Sequence, residues 1–366
     1  MSIIEEGKQE INIYAAPGNS SVELSLEVNV DHTLQSLLTE ANIYFGRLDA
    51  SLENMQDKES FIQINSLIDY VYLSKLEGSE ISLVDILKNY CKTTEFSTNN
   101  ILEGLNYFKT FETGCNLLKE SEINLSFIKQ LHKSLLHGII RHNKSPGIFR
   151  RPHGNYLDIE NRIKSKSNYG NNLSNALTSF EQYIGKNTEI SPLIKSAAMY
   201  YNFLKLHPFQ EKNIKLASLL VNLYLYKHKL LLKPCLCLGK YNCENLNEFI
   251  LLIEDAQDKN KLYKWTCFFL RGIVSSMDET INKIKKVNGS FAIDIEKTVT
   301  LGRTSKNCNS LLRHLLSKPL LKVKDVEAIT GLKNPNALAL ITKLLKLNIV
   351  EEITGQKRNR IFIYKN

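Results

Sequence analysis

The sequence predicts a mainly α-helical protein that includes a short β-hairpin and ends in a winged helix-turn-helix. Three observations support this prediction. Apolar residues recur at helical spacing along most of the 366-residue chain. A single Gly-, Pro- and Asn-rich stretch, residues 145–170, interrupts that pattern, and the last sixth of the chain has the pattern of three short helices followed by two strands. With 43% hydrophobic residues, the chain is long enough for two or three domains.

The N-terminal region begins without a clear helical pattern. Residues 1–30 contain two β-leaning pieces, 11–14 and 22–28, around the turn signal Pro-Gly-Asn at 17–19, which predicts an N-terminal arm or small hairpin. Between residues 31 and 90, apolar side chains return every three or four positions. This spacing predicts two or three packed helices.

The central region continues as a series of helices. They are predicted at 97–118, 124–140, 172–184, 191–206, 214–229, 246–256 and 259–286. The stretch 145–170 is predicted to form a loop or short hairpin, and long loops within compact domains tend to be functional. The helical pattern weakens at 286–290, where we predict a linker.

The C-terminal region has the pattern of a winged helix-turn-helix. Helices are predicted at 311–316, 323–330 and 335–347, with Gly331 as the residue after the second helix and Asn334 and Pro335 as the N-cap and first residue of the third. Residues 349–364 follow as strand, polar turn and strand. Three helices and a basic-tipped hairpin form this fold.

The excess positive charge lies entirely in this C-terminal module. Residues 301–366 contain 13 Lys and Arg against 4 Asp and Glu, a difference of 13 − 4 = +9, which equals the net charge of the whole chain. This distribution predicts an anionic partner, with nucleic acid as the first candidate. The predicted contacts are Lys357, Arg358 and Arg360 at the wing tip and Lys343 on the third helix.

The third helix gives weaker support for sequence-specific DNA binding. Its predicted outward positions, Asn336, Leu340 and Lys343, include few side chains that can read base edges. Homodimer formation, or docking of a protein partner through the same module, is therefore an equal alternative.

The cysteines and the N-terminus predict a cytoplasmic protein with no membrane partner. The seven cysteines are odd in number and scattered, which fits a reducing compartment. Cys235, Cys237 and Cys243 form one cluster, for which buried thiols are a better interpretation than a metal site. The chain begins without a basic segment, and it has no run of about 18 apolar residues.

The stretch from His207 to Ser218 is the candidate active-site loop. It reads His-Pro-Phe-Gln-Glu-Lys-Asn-Ile-Lys-Leu-Ala-Ser and leads from a helix end into a strongly apolar helix. The N-terminus of a helix favours anions, and histidine is suited to proton transfer near neutral pH. The stretch resembles the signature of the Fic (Fido-fold) family, H-x-F-x-[D/E]-G-N-G-R-x-x-R.

The resemblance implies a role for each matching residue. His207 would be the general base that takes a proton from a target hydroxyl, and Phe209 would be the buried aromatic anchor. Glu211 would hold a divalent metal ion, and Asn213 would contact the nucleotide phosphates.

Four signature positions differ in this chain. Lys212 and Ile214 stand at the two glycine positions, where a Cβ narrows the approach of the backbone to a phosphate. Lys215 and Ser218 stand at the two arginine positions, and Lys215 keeps the charge without the bidentate fork. Together with Asn213, these four residues are the predicted nucleotide contacts.

Two further stretches are similar to Fic motifs. Residues 73–78 resemble the inhibitory motif [S/T]-x-x-x-E-[G/N], in which Glu77 would pair with the second signature arginine, a position that Ser218 occupies here. The alternative is that Glu77 is a helix-surface carboxylate and Gly78 a helix terminator. Residues 146–150 resemble the P-G-x-[F/Y]-R that precedes the flap on which targets dock.

The resemblance also implies an architecture and an activity. It predicts an N-terminal arm and helical domain at 1–115, a Fido-fold helical bundle with a short hairpin flap at 116–287, and the winged helix at 300–366. The implied activity is transfer of AMP from ATP, with Mg²⁺, to a Ser, Thr or Tyr hydroxyl of a protein, weakened or lost through the changed signature. The alternative is a non-catalytic regulator that uses the fold as a scaffold and the winged helix to bind DNA or a protein.

Overall fold

A computed structural model describes most of the chain. The described residues are 28–55, 57–90, 98–139, 145–151, 156–158, 163–165, 173–186, 190–254, 260–356 and 358–365. The predicted N-terminal arm and most of the predicted loop at 145–170 lie outside these ranges.

The body of the molecule is helical, as predicted. Its helices are α1 (His32–Glu53), α2 (Lys58–Leu76), α3 (Leu83–Tyr90), α4 (Asn99–Leu117), α5 (Leu125–Leu135), α6 (Leu173–Gly185), α7 (Pro192–Leu206), α8 (Asn213–Lys227), α9 (Leu238–Glu244), α10 (Leu246–Glu254) and α11 (Lys261–Val299). Strands β1 (Tyr156–Asp158) and β2 (Ile163–Ser165) pair antiparallel within the stretch predicted as a loop or short hairpin. Helix α9 has only seven residues, too few for a clear periodic pattern, and was not predicted.

Local capping explains where several helices begin and end. The Asp31 carboxylate accepts from the Leu34 amide at 2.8 Å at the start of α1, and the Asn124 side chain does the same for Phe127 at the start of α5. Helix α5 ends at Leu135, earlier than predicted, and Gly138 follows with a φ of 70°. Because only glycine adopts this backbone without strain, the chain turns there.

Helices α7 and α8 form the centre of the body. Nearly every residue of both helices is buried, which is the pattern of a helix surrounded by others. Their loop, residues 207–212, therefore joins two fixed elements. Among the described residues, no helix has both the length and the hydropathy required to cross a bilayer.

The linker predicted at 286–290 is wrong. Helix α11 continues through it as a single element that ends only at Val299. Gly289 weakened the pattern, but its position is exposed, and no proline interrupts the helix. Ile284 belongs to the core of the body, and Phe291, two turns later, belongs to the core of the C-terminal module. The helix thus joins the two cores directly.

The C-terminal module contains the predicted helices and strands. Its elements are α12 (Ser305–Ser317), β3 (Leu320–Lys322), α13 (Val323–Thr330), α14 (Asn334–Lys346), β4 (Val350–Glu352) and β5 (Ile361–Tyr364), and the sheet order is β3-β5-β4. Gly331 ends α13 with a φ of 70°, as predicted. Helix α14 starts one residue earlier than predicted, with Lys333 rather than Asn334 as its N-cap.

The small sheet lies between the two cores. Ile361 and Ile363 of β5 pack against the body, whereas Phe362 and Tyr364 belong to the core of the module. Successive side chains of a strand point to opposite faces, so β5 contributes to both cores. The domain boundary that we place between residues 287 and 300 stays a prediction.

Candidate functional site

The loop between α7 and α8 has, at each end, a residue with a left-handed backbone conformation. His207 ends α7 with a φ of 47°, and Lys212 precedes α8 with a φ of 65°. Residues with a Cβ adopt this region at some cost. The surrounding contacts must therefore hold the loop in place.

Asn213 is the main contact that holds the loop. Its Oδ1 accepts from the Phe209 amide at 3.0 Å, and its Nδ2 donates to the Phe209 carbonyl at 2.9 Å. The same Nδ2 lies 3.2 Å from both ring nitrogens of His207, whose side chain is buried. Asn213 thus fixes both the loop backbone and the edge of the imidazole.

The segment 146–150 supports the loop from the other side. Arg150 donates from its backbone to Pro208 O at 2.9 Å and from Nε to His207 O at 2.6 Å. The Phe209 ring stacks on His132 with centroids 3.8 Å apart, and His132 Nδ1 accepts from the Gly147 amide. The positions of the loop and of this segment are therefore linked.

Four charged side chains form a buried group beside the start of α8, which we call the ion-pair cluster: Lys212, Lys215, Glu77 and Glu103. Glu77 Oε2 lies 3.0 Å from Lys212 Nζ and 2.8 Å from Lys215 Nζ. Glu103 Oε1 lies 3.1 Å and 2.6 Å from the same two nitrogens. Each of the four side chains is at most 9% exposed, so the charges pair with one another away from water.

The cluster stays ionised because its charges are paired. Burial alone would raise the pKa of Glu77, but Lys212 and Lys215 together lower that pKa to about 2. Burial would lower the pKa of Lys215, but Glu103 and Glu77 together raise it. Two positive and two negative charges leave the cluster neutral.

Ser218 belongs to a second buried network. Its hydroxyl donates to Asp69 Oδ2 at 3.1 Å, and Tyr107 OH donates to the same oxygen at 2.7 Å. The Gly239 amide donates to Asp69 Oδ1 at 2.8 Å. Burial raises the pKa of Asp69 to about 6 in spite of these hydrogen bonds. Ser218 therefore contacts Asp69, and Glu77 is paired with lysines instead of the arginine of the motif.

The sequence of this region matches a known family. The model of the Fic/DOC family covers residues 122–225, from the residues before α5 to the end of α8. Residues 122–225 are a Fic/DOC family domain. The loop at 207–212 and the start of α8 lie within this Fic domain.

Solved Fic proteins share the fold. A Fic family protein from Desulfovibrio desulfuricans G20 matches over 93% of this chain and 98% of its own, with a TM-score of 0.55 and 13% identity. A Fic domain containing signaling protein from Bacteroides thetaiotaomicron VPI-5482 matches over 68% and 97%, with a TM-score of 0.51 and 16% identity. Fic-1 of C. elegans (aa134–508) matches over 70% and 73%, with a TM-score of 0.50 and 17% identity. At these identities the likeness establishes the fold alone.

The structure brings together most of the residues that the Fic motifs predicted. The loop and the first turn of α8 contain His207, Glu211, Lys212, Asn213 and Lys215, and the turn after α2 brings Glu77 to the two lysines. The Ile214 side chain is buried in the hydrophobic core, so only its backbone could reach a nucleotide. Ser218 lies one turn further along and contacts Asp69.

Two acidic residues that contact the first turns of α8 were not predicted from the sequence. Glu103 of α4 pairs with both lysines, and Asp69 of α2 accepts from Ser218. A weak signal was present, because each acid interrupts an apolar part of its helix: Glu103 lies between Ile101 and Leu105, and Asp69 follows Ile68. A charge at such a position is buried with a partner or lies on a solvated face, and the sequence does not say which.

The residues predicted to contact DNA differ in accessibility. Lys343 is half-buried and donates to the Thr304 hydroxyl at 3.2 Å, whereas Arg358 is exposed. The Arg360 guanidinium lies 5.1 Å from the centroid of the Phe362 ring, and Lys357 lies outside the described residues. Leu340, predicted to face outward, is buried in the core of the module because the exposed stripe of α14 passes through its neighbours 338 and 339.

The thiols near α9 make separate contacts. Cys237 Sγ donates to Asn65 O at 3.2 Å, and Cys243 Sγ donates to Tyr72 O at 3.3 Å. Within the described part of the chain, no three His, Cys, Asp or Glu side chains come close enough to hold a metal ion together.

The loop and the first turn of α8 contain one carboxylate, Glu211, and two ammonium groups, Lys212 and Lys215. The half-buried carboxylate of Glu211 suits Mg²⁺, which commonly takes one or two carboxylates together with phosphate oxygens. Glu77 Oε2 lies between the ammonium groups of Lys212 and Lys215, where it stands in for an anionic oxygen.

Proposed function

We propose that this chain is a protein nucleotidyltransferase that transfers AMP from ATP to a protein hydroxyl after Glu77 leaves the ion-pair cluster. One observation supports this proposal above the others: a carboxylate oxygen lies within 3.0 Å of two lysine ammonium groups beside the N-terminus of α8. Both the cations and the helix N-terminus favour an anion at this position. Membership of the Fic family, in which AMP transfer is common, supports the choice of reaction.

The residues of the loop suit the steps of this reaction. The hydroxyl oxygen of the target forms a bond to the α-phosphorus of ATP, and the bond to the departing pyrophosphate breaks. His207, whose ring Asn213 orients, takes the hydroxyl proton. Glu211 would hold Mg²⁺, which supplies positive charge to the phosphates. Lys212 and Lys215 would bind phosphate oxygens in place of Glu77.

The burial of His207 explains why the reaction requires a conformational change. The side chain of His207 is only 1% exposed, so a target hydroxyl does not reach it in this conformation. Glu77 follows α2 directly, and Gly78 comes next with a φ of 73°. The turn that carries Glu77 is therefore the element whose movement would remove one of the two carboxylates that pair with both lysines.

Isothermal titration with ATP and Mg²⁺ tests the proposal. We expect Glu77→Gln to bind ATP about tenfold more tightly than the unchanged protein, the equivalent of about 1.4 kcal/mol. Glu80→Gln, a change at an exposed carboxylate of the same turn, is the matched control and should leave affinity unchanged. AMP incorporation into protein by Glu77→Gln should disappear when His207→Ala is added. Absence of ATP binding by Glu77→Gln would contradict the proposal.

A second candidate is a regulator that has lost catalysis and keeps the fold as a scaffold, with ATP and Mg²⁺ playing no part. The burial of Glu103 favours it, because this fully buried acid still pairs with both lysines when Glu77 leaves. The charge excess of the C-terminal module favours DNA as its partner, with a protein or a second copy of the chain as the alternatives.

One combined variant separates the two candidates. Lys212→Gly/Ile214→Gly/Ser218→Arg restores three of the four changed signature positions and should be titrated with ATP and Mg²⁺ beside Glu77→Gln. ATP binding only by the restored variant, together with salt-dependent DNA binding by the unchanged protein, favours the regulator. Binding by Glu77→Gln alone favours the transferase.

A further inference from the structure

One arginine contacts three successive carbonyl groups of the chain that carries His207. Arg150 donates from Nη2 to Leu206 O at 3.3 Å and from Nε to His207 O at 2.6 Å. Its backbone amide donates to Pro208 O at 2.9 Å. Arg150 is only 4% exposed, so these contacts belong to the interior of the protein.

The carbonyl groups at this point need partners because α7 ends here. The last carbonyl groups of a helix have no amide partner within the helix, and their partial negative charge favours a cation. Helix α7 ends at Leu206, and the Arg150 guanidinium donates to the carbonyl of that residue and to the next one. Arg150 therefore stabilises the end of α7.

The backbone of His207 depends on such support. With a φ of 47° and a ψ of 60°, it lies in the left-handed region, which a residue with a Cβ adopts only when its surroundings hold it there. Arg150 donates to the His207 carbonyl and to the carbonyls directly before and after it. These hydrogen bonds fix the backbone from which the imidazole projects.

A second contact joins the segment 146–150 to the same loop. The Gly147 amide donates to His132 Nδ1 at 2.9 Å, and the His132 ring stacks on Phe209. Gly147 has a φ of 76°, and a Cβ added there would lie 2.9 Å from Lys129 O. The segment is thus connected to the loop near each of its ends, and it has little room to shift.

We propose that Arg150 is a positioning residue for His207 and that the segment 146–150 determines where this base lies. Arg150 acts through the peptide groups around His207, whereas Asn213 orients the ring. A base that is misplaced by about 1 Å loses on the order of 100-fold in rate. This inference rests on the proposed role of His207 as the base, but the position of the ring can be measured without any transfer reaction.

Modification by diethyl pyrocarbonate measures whether the His207 ring leaves its place. The reagent is applied to the full-length protein, and mass spectrometry gives the rate at His207 relative to the exposed His228. His207 is only 1% exposed and should react slowly in the unchanged protein. Arg150→Gln should raise the rate about tenfold, because losing a charge-assisted hydrogen bond shifts an equilibrium by roughly that factor. An unchanged rate would overturn the proposal.

Two variants separate positioning from a general loss of stability. Leu344→Ala truncates a buried side chain of the C-terminal module and should destabilise the protein without changing the rate at His207. Arg150→Lys keeps the charge without the planar fork, so it should raise the rate about threefold, and it replaces Arg150→Gln if that variant does not fold. An equal rise in Leu344→Ala would refute a positioning role.

A change at the other end of the segment tests whether the segment acts as a unit. Gly147→Ala forces the segment away from Lys129 and should also raise the rate at His207. Combined with Arg150→Gln, it should add no more than about twofold, because the two changes disturb the same contacts. Fully multiplied effects would contradict the assignment of this role to the segment.

The transfer reaction provides a separate measurement. In the Glu77→Gln protein, Arg150→Gln should lower kcat for AMP incorporation about 100-fold and leave the KM for ATP within about twofold, because Lys212 and Lys215 are unchanged. An unchanged kcat would overturn the inference. If Glu77→Gln incorporates no AMP, the proposed function fails, and the modification rates still decide whether Arg150 positions the ring.

Discussion

Lys215 is the cation on which the ion-pair cluster most depends. Its Nζ lies 2.8 Å from Glu77 and 2.6 Å from Glu103, and it also lies 4.6 Å from the centroid of the Tyr70 ring. Lys215→Met removes this charge and leaves two buried carboxylates with Lys212 alone. We expect the free energy of unfolding to fall by about 3–5 kcal/mol in urea titrations.

An exposed ion pair provides the control for this change. Arg271 donates to Glu248 at 2.8 Å, and both side chains are about half exposed. Arg271→Met should lower the free energy of unfolding by about 1 kcal/mol or less, because water screens the pair. Equal costs for the two substitutions would mean that the cluster contributes no more than a surface contact.

Asp69 gives the protein a pH dependence whose sign follows from its burial. Burial raises its pKa in the folded state to about 6, against 3.8 for the ordinary group. Because the pKa is raised, protonation of Asp69 stabilises the folded state. This contribution is fully present below about pH 4 and is lost as pH rises through about 6, which lowers the free energy of unfolding by about 3 kcal/mol. Glu77, whose pKa is about 2, has the opposite effect: its contribution to stability is lost as pH falls, and this loss occurs at lower pH.

Asp69→Asn isolates this contribution. Urea unfolding of the unchanged protein and of Asp69→Asn at pH 4, 5, 6 and 7 gives the difference between the two pH profiles. The unchanged protein should lose stability across this range relative to the variant. Parallel profiles would mean that Asp69 stays ionised in both states.

Among the elements, α11 allows the most direct test, because it contains an exposed glycine in its interior. Gly289 occupies an exposed position in its interior, and a Cβ added there meets no atom within 4 Å. Gly289→Ala should raise the free energy of unfolding by about 0.5–1 kcal/mol, because alanine loses less backbone entropy in a helix. Gly355→Ala is the contrast: its φ of 63° predicts destabilisation. No gain from Gly289→Ala would contradict the entropic advantage of alanine expected at this helical position.

The whole molecule has its net charge concentrated in the C-terminal module, which predicts salt-dependent binding of duplex DNA. Arg358 is exposed near the wing tip, so Arg358→Gln should reduce the slope of log affinity against log salt by about 0.9, the loss of one phosphate contact. Fluorescence anisotropy of the full-length protein measures this slope. Lys343→Gln tests the predicted contact of the third helix in the same way, at a half-buried lysine that donates to Thr304. Salt-independent binding would contradict a phosphate contact.

Several features of the molecule could be predicted because their cause is local. The helices follow from the spacing of apolar residues, as in α7 and α8, and the end of α13 follows from the positive φ that Gly331 provides. The loop at 207–212 could be assigned to a family because its residues lie in sequence order. At 286–290 this reasoning failed, since one glycine weakened a pattern that packing at both ends maintains.

By itself, the sequence determined most of the helical elements, the C-terminal hairpin and the residues of the loop that begins with His207. It did not predict the three-residue strand β3 or the order of the strands in the sheet. Only the tertiary structure decided which charges meet. Glu77 lies directly after α2, Glu103 lies in α4 and Lys215 lies in α8, and no local spacing connects them. The same holds for Asp69 and Ser218. A buried charge is stable only beside a partner, and the partner is set by the packing of whole helices, which residue spacing along one helix does not encode.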